Sequence, residues 1–94
     1  MLTKVYDKAI WQIEGGLQTS VVLKHFKMIL EWCEKNHLLS DEGREILSFG
    51  VDDSISLHSR MFTEQGNKFM EKYYDKYISA TEVQDSMNED LKKL

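Results

Sequence analysis

A nine-residue phrase occurs twice in this chain, and it constrains the fold more than any other feature. Leu39-Ser40-Asp41-Glu42-Gly43-Arg44-Glu45-Ile46-Leu47 returns 23 residues later as Phe62-Thr63-Glu64-Gln65-Gly66-Asn67-Lys68-Phe69-Met70. Each copy opens on a hydroxyl side chain that can accept hydrogen bonds from the free N–H groups of a first helical turn. Acidic residues follow at the positive end of the helix dipole, and an apolar pair comes one turn later. Both copies therefore read as helix starts. In both, glycine occupies the position where glutamate would complete a capping box. Glycine there costs about 0.5–1 kcal/mol relative to alanine, and close approach of another backbone would explain its presence twice.

Proline is absent from the 94 residues, and apolar residues recur at spacings of three and four. Both facts favour helices. Thr3 is expected to cap a first helix reaching Glu14, with Val5, Tyr6, Ala9, Ile10 and Ile13 inside and Gly15-Gly16 as its stop. Thr19 or Ser20 opens a second and stronger helix. Its apolar stripe is Val22, Phe26, Ile29, Leu30 and Cys33, and it ends near Asn36-His37. The Ser40 helix is expected to bury Ile46 and Leu47 and to end near Phe49-Gly50. Asp52-Asp53-Ser54 reads as a turn.

Ile55, Leu57, Ser59 and Met61 then alternate with Ser56, His58, Arg60 and Phe62, the pattern of a short extended segment. No second strand stands out, which leaves a loop arm or pairing with another chain. The Thr63 helix carries Phe69, Met70, Tyr73, Tyr74, Tyr77 and Ile78. Thr81-Glu82-Val83-Gln84 begins a fifth helix with a capping-box pattern and a narrow Val83, Met87, Leu91 stripe. The expected fold is mainly α: a bundle of four to five helices with one short extended segment. Residues 1–80 form a single helical domain, and residues 81–94 form a C-terminal helix that docks loosely.

Composition bounds the function classes. The net charge is −4, and the stretch 41–53 alone holds five acidic residues against Arg44. Such a field disfavours nucleic acid and favours a basic partner. No apolar run approaches the roughly 18–20 residues of a membrane span, and a single cysteine is the pattern of the reducing cytoplasm.

Four groups of residues invite a chemical reading. His25, Cys33 and His37 fall along one side of the second helix, with His58 as a further zinc donor, yet Cys33 fits the apolar stripe. Cys33 and His37 also have the spacing of a nucleophile–base pair, but an activated thiol needs an exposed, electropositive setting. Lys68, Lys72 and Lys76 alternate with tyrosines as nucleic-acid surfaces do. Glu64, Glu71 and Asp75 cancel them, and Glu64 can pair with Lys68. No metal, cofactor or catalytic group is therefore expected. Trp11 and Trp32 lie off the apolar stripes: burial that widens the inner face is the commoner fate of tryptophan, and partial exposure would make either an interface anchor. The candidate partner-binding residues are Asp41, Glu42, Glu45, Asp52, Asp53, Trp11 and Trp32.

The order Tyr6-Asp7-x-Ala9-x-Trp11, Gly15-Gly16, His25-x-x-Met28-x-Leu30-x-Trp32 and Leu38-Leu39-Ser40 resembles a group of small, uncharacterised bacterial proteins over about residues 5–42. This chain departs from their pattern in lacking a proline-containing loop after the glycines and in having Gln12 where an aromatic residue or histidine is common. The resemblance implies a bacterial origin and an immunity- or accessory-like role exercised through binding, and it transfers no active site. Phe62-Thr63-Glu64-Gln65-Gly66 also resembles the Leu-Thr-x-x-Gly element that follows the wing in winged-helix regulators, although no basic recognition helix accompanies it. The leading expectation is a non-catalytic protein-binding module with an acidic central surface. The alternative is a winged-helix-like DNA-binding regulator.

Overall fold

The computed structural model describes residues 3–94. Along the chain run strand β1 (Val5–Lys8) and helices α1 (Ala9–Glu14), α2 (Thr19–Lys35) and α3 (Asp41–Phe49). Strand β2 (Ser56–His58) and helices α4 (Glu64–Tyr73) and α5 (Gln84–Lys92) follow. Short 3-10 turns at Ser59–Met61 and Tyr74–Tyr77 flank α4. The protein is thus a mainly helical globule with one two-stranded antiparallel sheet.

The two copies of the repeated phrase pack on each other. Ser40 Oγ accepts from the Gly43 N–H at 3.2 Å, and Thr63 Oγ1 accepts from the Gly66 N–H at 3.1 Å. The residues just before the caps form a single antiparallel bridge, Leu39 to Phe62. Around it, the Ser40 N–H donates to the Met61 carbonyl at 2.9 Å and the Thr63 N–H to the Leu38 carbonyl at 2.8 Å. The first turn of each helix therefore lies against the backbone that leads into the other. A side chain on Gly43 would run into the Met61 carbonyl, and one on Gly66 into the Leu38 carbonyl. This is the close backbone approach that the paired glycines implied.

The N-terminal segment departs from expectation. The Thr3-capped helix does not form; residues 5–8 are a strand, and α1 begins only at Ala9 without a side-chain cap. β1 pairs with β2 in the register Val5–His58, Asp7–Leu57 and Lys8–Ser56, with an irregularity between Val5 and Asp7. The extended segment thus finds its partner within the chain, some 50 residues away in sequence. Its alternation holds over 55–58, where Ile55 and Leu57 are buried and Ser56 and His58 half-buried, and ends where the chain enters the 3-10 turn, after which Met61 and Phe62 are both buried. Of the expected inner face of the first helix, Ala9 is buried, but Val5 and Ile10 are exposed, and Asp7 and Gln12 are buried instead. Asn67 of α4 fastens the sheet to the helices, its Nδ2 donating to the Ser59 and Phe62 carbonyls and its Oδ1 accepting from the Tyr6 hydroxyl at 2.5 Å. Burial and the nearby Glu71 push that phenol up to about 12.

α2 is the spine of the core. Val22, Phe26, Ile29, Leu30 and Cys33 are buried along it, with Leu57, Met61, Phe69, Tyr74 and Met87 in the same cluster. Thr19 is its first residue rather than its cap. On α3, Ile46 and Leu47 are only half-buried. The Thr63 helix tightens after Tyr73 into a 3-10 turn, so Ile78 falls outside it and is exposed. α5 starts at Gln84, with Val83 at the cap position and no Thr81 cap bond. It seats Met87 fully in the core, and Asp90 is 3% exposed.

Candidate functional site

The acidic segment resolves into two parts once the cations are placed. Asp41 is bridged by Arg44 one turn on. Glu42 is held by Arg60 at 3.2 Å and lies 3.7 Å from the His58 imidazole. These two carboxylates are balanced within the fold. Among the described residues, no cation lies within ion-pair distance of Glu45, Asp52 or Asp53. The turn reading of 52–54 is correct: Asp52 Oδ1 accepts from the Ser54 N–H at 2.9 Å and from its hydroxyl at 2.5 Å. Those two bonds hold the Asp52 carboxyl below its ordinary pKa. It is therefore a fixed negative charge at neutral pH.

Between these carboxylates stands Phe49, in the last turn of α3 and 84% exposed. It lies one helical turn beyond Glu45, and the turn with Asp52 and Asp53 follows after Gly50-Val51. A shallow groove of about 280 Å³ runs beside it, lined by Ile46, Gly50, Asp52, Ile55, Ser56 and His58. His58 Nδ1 is buried and makes no hydrogen bond. The result is an exposed apolar knob with Glu45 one turn back on the same helix and Asp52 in the groove at its foot. Sequence reading identified the carboxylates and missed Phe49, because a phenylalanine in the final turn of an amphipathic helix reads as core. The signal available was its position directly before a glycine and an acidic turn, where the chain leaves the helix.

The tryptophans separate. Trp11 is 52% exposed, with the Lys8 ammonium 5.4 Å from its ring centroid, and it lies outside the Phe49 groove. Trp32 does not stand free as a partner anchor. It is 5% exposed, its ring lies 4.8 Å from that of Phe69, and its Nε1–H donates to Asn88 Oδ1 of α5 at 2.8 Å. The core took it because α5 packs over a side of α2 that the α2 stripe alone leaves open.

The histidines and the cysteine fall in separate places. Cys33 is buried in the core, where loss of hydration pushes its thiol far above the ordinary range. His37 is exposed at the end of α2 with φ of 60°. Among the described residues, no three His, Cys, Asp or Glu side chains gather as a metal-binding group, and no helix is long and apolar enough to cross a membrane.

His25 joins a buried polar network instead. Its Nδ1 lies 2.5 Å from the Ala80 carbonyl and its Nε2 2.8 Å from the Tyr74 hydroxyl. Tyr74 in turn donates to Asp7 Oδ2 at 2.6 Å, and the Gln12 amide donates to the same oxygen. Ser79 closes the chain on Gln12 Oε1 at 2.9 Å. The carbonyl of Ala80 can only accept, so Nδ1 carries a proton. The single Tyr74 proton then serves two acceptors. Burial raises the Tyr74 phenol well above its ordinary value and lowers the His25 imidazole, against the opposing pull of Ala80 and Asp7. This network ties β1, α1 and α2 to the segment after α4, and sequence spacing gives no hint that Asp7 and Tyr74 meet. No protein-family model matches the chain, and neither does any curated protein or solved structure.

Proposed function

We propose that this protein is a small non-catalytic binding module whose contact surface is the acidic knob around Phe49. The observation that carries the reading is the 84% exposure of Phe49 beside a groove lined by the unneutralised Asp52, in a segment where Glu45 and Asp53 are also without a cation among the described residues. Covering a phenylalanine side chain contributes roughly 1.5–3 kcal/mol relative to leaving it in water. A partner that accepts the ring in an apolar pocket and rims that pocket with lysine or arginine satisfies both halves of the surface. Aromatic residues at such positions dominate interface energetics, while rim charges steer encounter and set specificity. The partner is accordingly a protein with a basic, pocketed face.

The binding reading is also supported by what the chemically capable groups are doing. Cys33 is a buried apolar side chain with a raised pKa, and His25 is engaged on both ring nitrogens. Affinity capture from lysate tests the reading, with and without nuclease, using the natural chain and an Asp52→Lys/Asp53→Lys variant. One basic protein is expected with the natural chain under both conditions and not with the variant. Recovery that disappears on nuclease treatment would favour the winged-helix-like regulator instead.

A further inference from the structure

A second and larger groove lies elsewhere and has the opposite sign. It measures about 830 Å³ and runs between α2 and α5. Lys24, Lys27 and Lys35 on α2 and Lys92 on α5 line it, against Glu31 as the one acidic lining residue. This concentration of cations sits on a chain whose net charge is −4. Lys92 is shared with Glu89 at 3.4 Å, but among the described residues Lys24, Lys27 and Lys35 have no carboxylate within ion-pair distance. Met28, the edge of Trp32 and Leu91 supply apolar lining, and Asn88, also in the lining, accepts from Trp32 Nε1–H.

The lining fits an elongated occupant. On α2 it runs from Lys24 to Asn36, a rise of about 18 Å at 1.5 Å per residue. Lys24, Lys27, Met28, Glu31, Trp32 and Lys35 recur at helical spacing along one stripe. A trough of this length, bordered by two helices, matches the geometry in which an amphipathic helix lays its apolar side chains into a groove. The uncompensated lysines along its α2 rim select a negatively charged polar flank on that helix.

We infer that the α2/α5 groove is a second binding surface, which takes an acidic amphipathic helical segment of a partner protein. It is separate from the Phe49 knob, so the chain presents an acidic and a basic contact face to different partners. The probe is a fluorescein-labelled peptide of glutamate and leucine about four helical turns long, titrated by anisotropy into the full chain. Saturable binding is expected, weakened about tenfold or more by Lys24→Glu/Lys27→Glu/Lys35→Glu and unchanged by Phe49→Ala. In Trp11→Phe, which leaves Trp32 as the one tryptophan, the peptide is expected to shift the emission. Circular dichroism establishes that each variant is folded, and Lys24→Gln/Lys27→Gln/Lys35→Gln, which removes charge without adding any, serves if the reversal variant is not. The inference is overturned if anisotropy does not saturate, if neither charge variant weakens binding, or if an oligothymidylate of matching charge displaces the peptide equally well.

Discussion

Leu39 and Phe62 face each other across one antiparallel bridge, and the two helices that begin immediately after them share that contact as a common foundation. Each helix start satisfies its own first-turn N–H with a hydroxyl cap. Each also offers the carbonyl two residues before its cap, Leu38 or Met61, to the N–H of the other's cap residue. A local sequence repeat has thus become a local two-fold arrangement, in which the glycines are the points of closest approach.

That arrangement predicts matched behaviour at Gly43 and Gly66. A Cβ at either position meets a backbone carbonyl rather than a side chain that can swing aside. Gly43→Ala and Gly66→Ala should therefore each destabilise by about 2–3 kcal/mol, although alanine is the better helix former. The fall in Tm should be roughly 10–20 °C for a domain of this size. Thermal unfolding followed by circular dichroism checks it, with Gln65→Ala, an exposed position in the same helical turn, expected to be near neutral.

The Asp7–Tyr74–His25 network predicts a pH dependence. Burial holds the His25 imidazole below its ordinary pKa, so the unfolded chain takes up a proton first as the solution is acidified. Stability contributed here is complete above about pH 6.5 and declines as the pH falls below it. Urea unfolding across that range measures the slope, and a stability that rises on acidification would contradict it. Tyr74→Phe removes a partner from both Asp7 and His25 and should cost about 1–3 kcal/mol.

Asp90 anchors α5. It accepts from Lys76 Nζ at 2.7 Å and from the Tyr77 hydroxyl, and these bonds lower its pKa. A carboxylate with a depressed folded-state pKa stabilises above its unfolded value and loses that contribution as pH falls through the folded one. Asp90→Asn should therefore lower Tm by several degrees at neutral pH. The gap between variant and natural chain should begin to narrow below about pH 4, where the unfolded carboxyl protonates, and close only once the pH has fallen through the depressed folded-state value.

How far the sequence disclosed this molecule depends on the range of the interaction that fixes each part. Ser40 and Thr63 act within one turn of their own helices, Gly43 and Gly66 stand at the same offset from those caps, and the α2 stripe recurs from Val22 to Cys33, so local pattern revealed them. Residues 5–8 misled because Val5, Tyr6, Ala9, Ile10 and Ile13 imitate a helical face. Only the β2 backbone, distant in sequence, makes them a strand. Thr81 looked like a cap, but the chain begins α5 one turn later, where Met87 and Asp90 can reach the core. Of the candidate site, Glu45, Asp52 and Asp53 were legible as charge. Neutralisation of Glu42 by Arg60, the covering of Trp32 by α5 and the emergence of Phe49 are products of tertiary packing.

The central claim is that the Phe49 knob is a protein contact, and photo-crosslinking from that position tests it most directly. With p-benzoylphenylalanine in place of Phe49, irradiated cells should yield one dominant adduct to a basic protein. The adduct should be lost when Asp52 and Asp53 are also changed to lysine, while stability stays within about 0.5 kcal/mol of the natural chain. Absence of an adduct at position 49, or the same adduct from the exposed position of Ile10, would contradict the account.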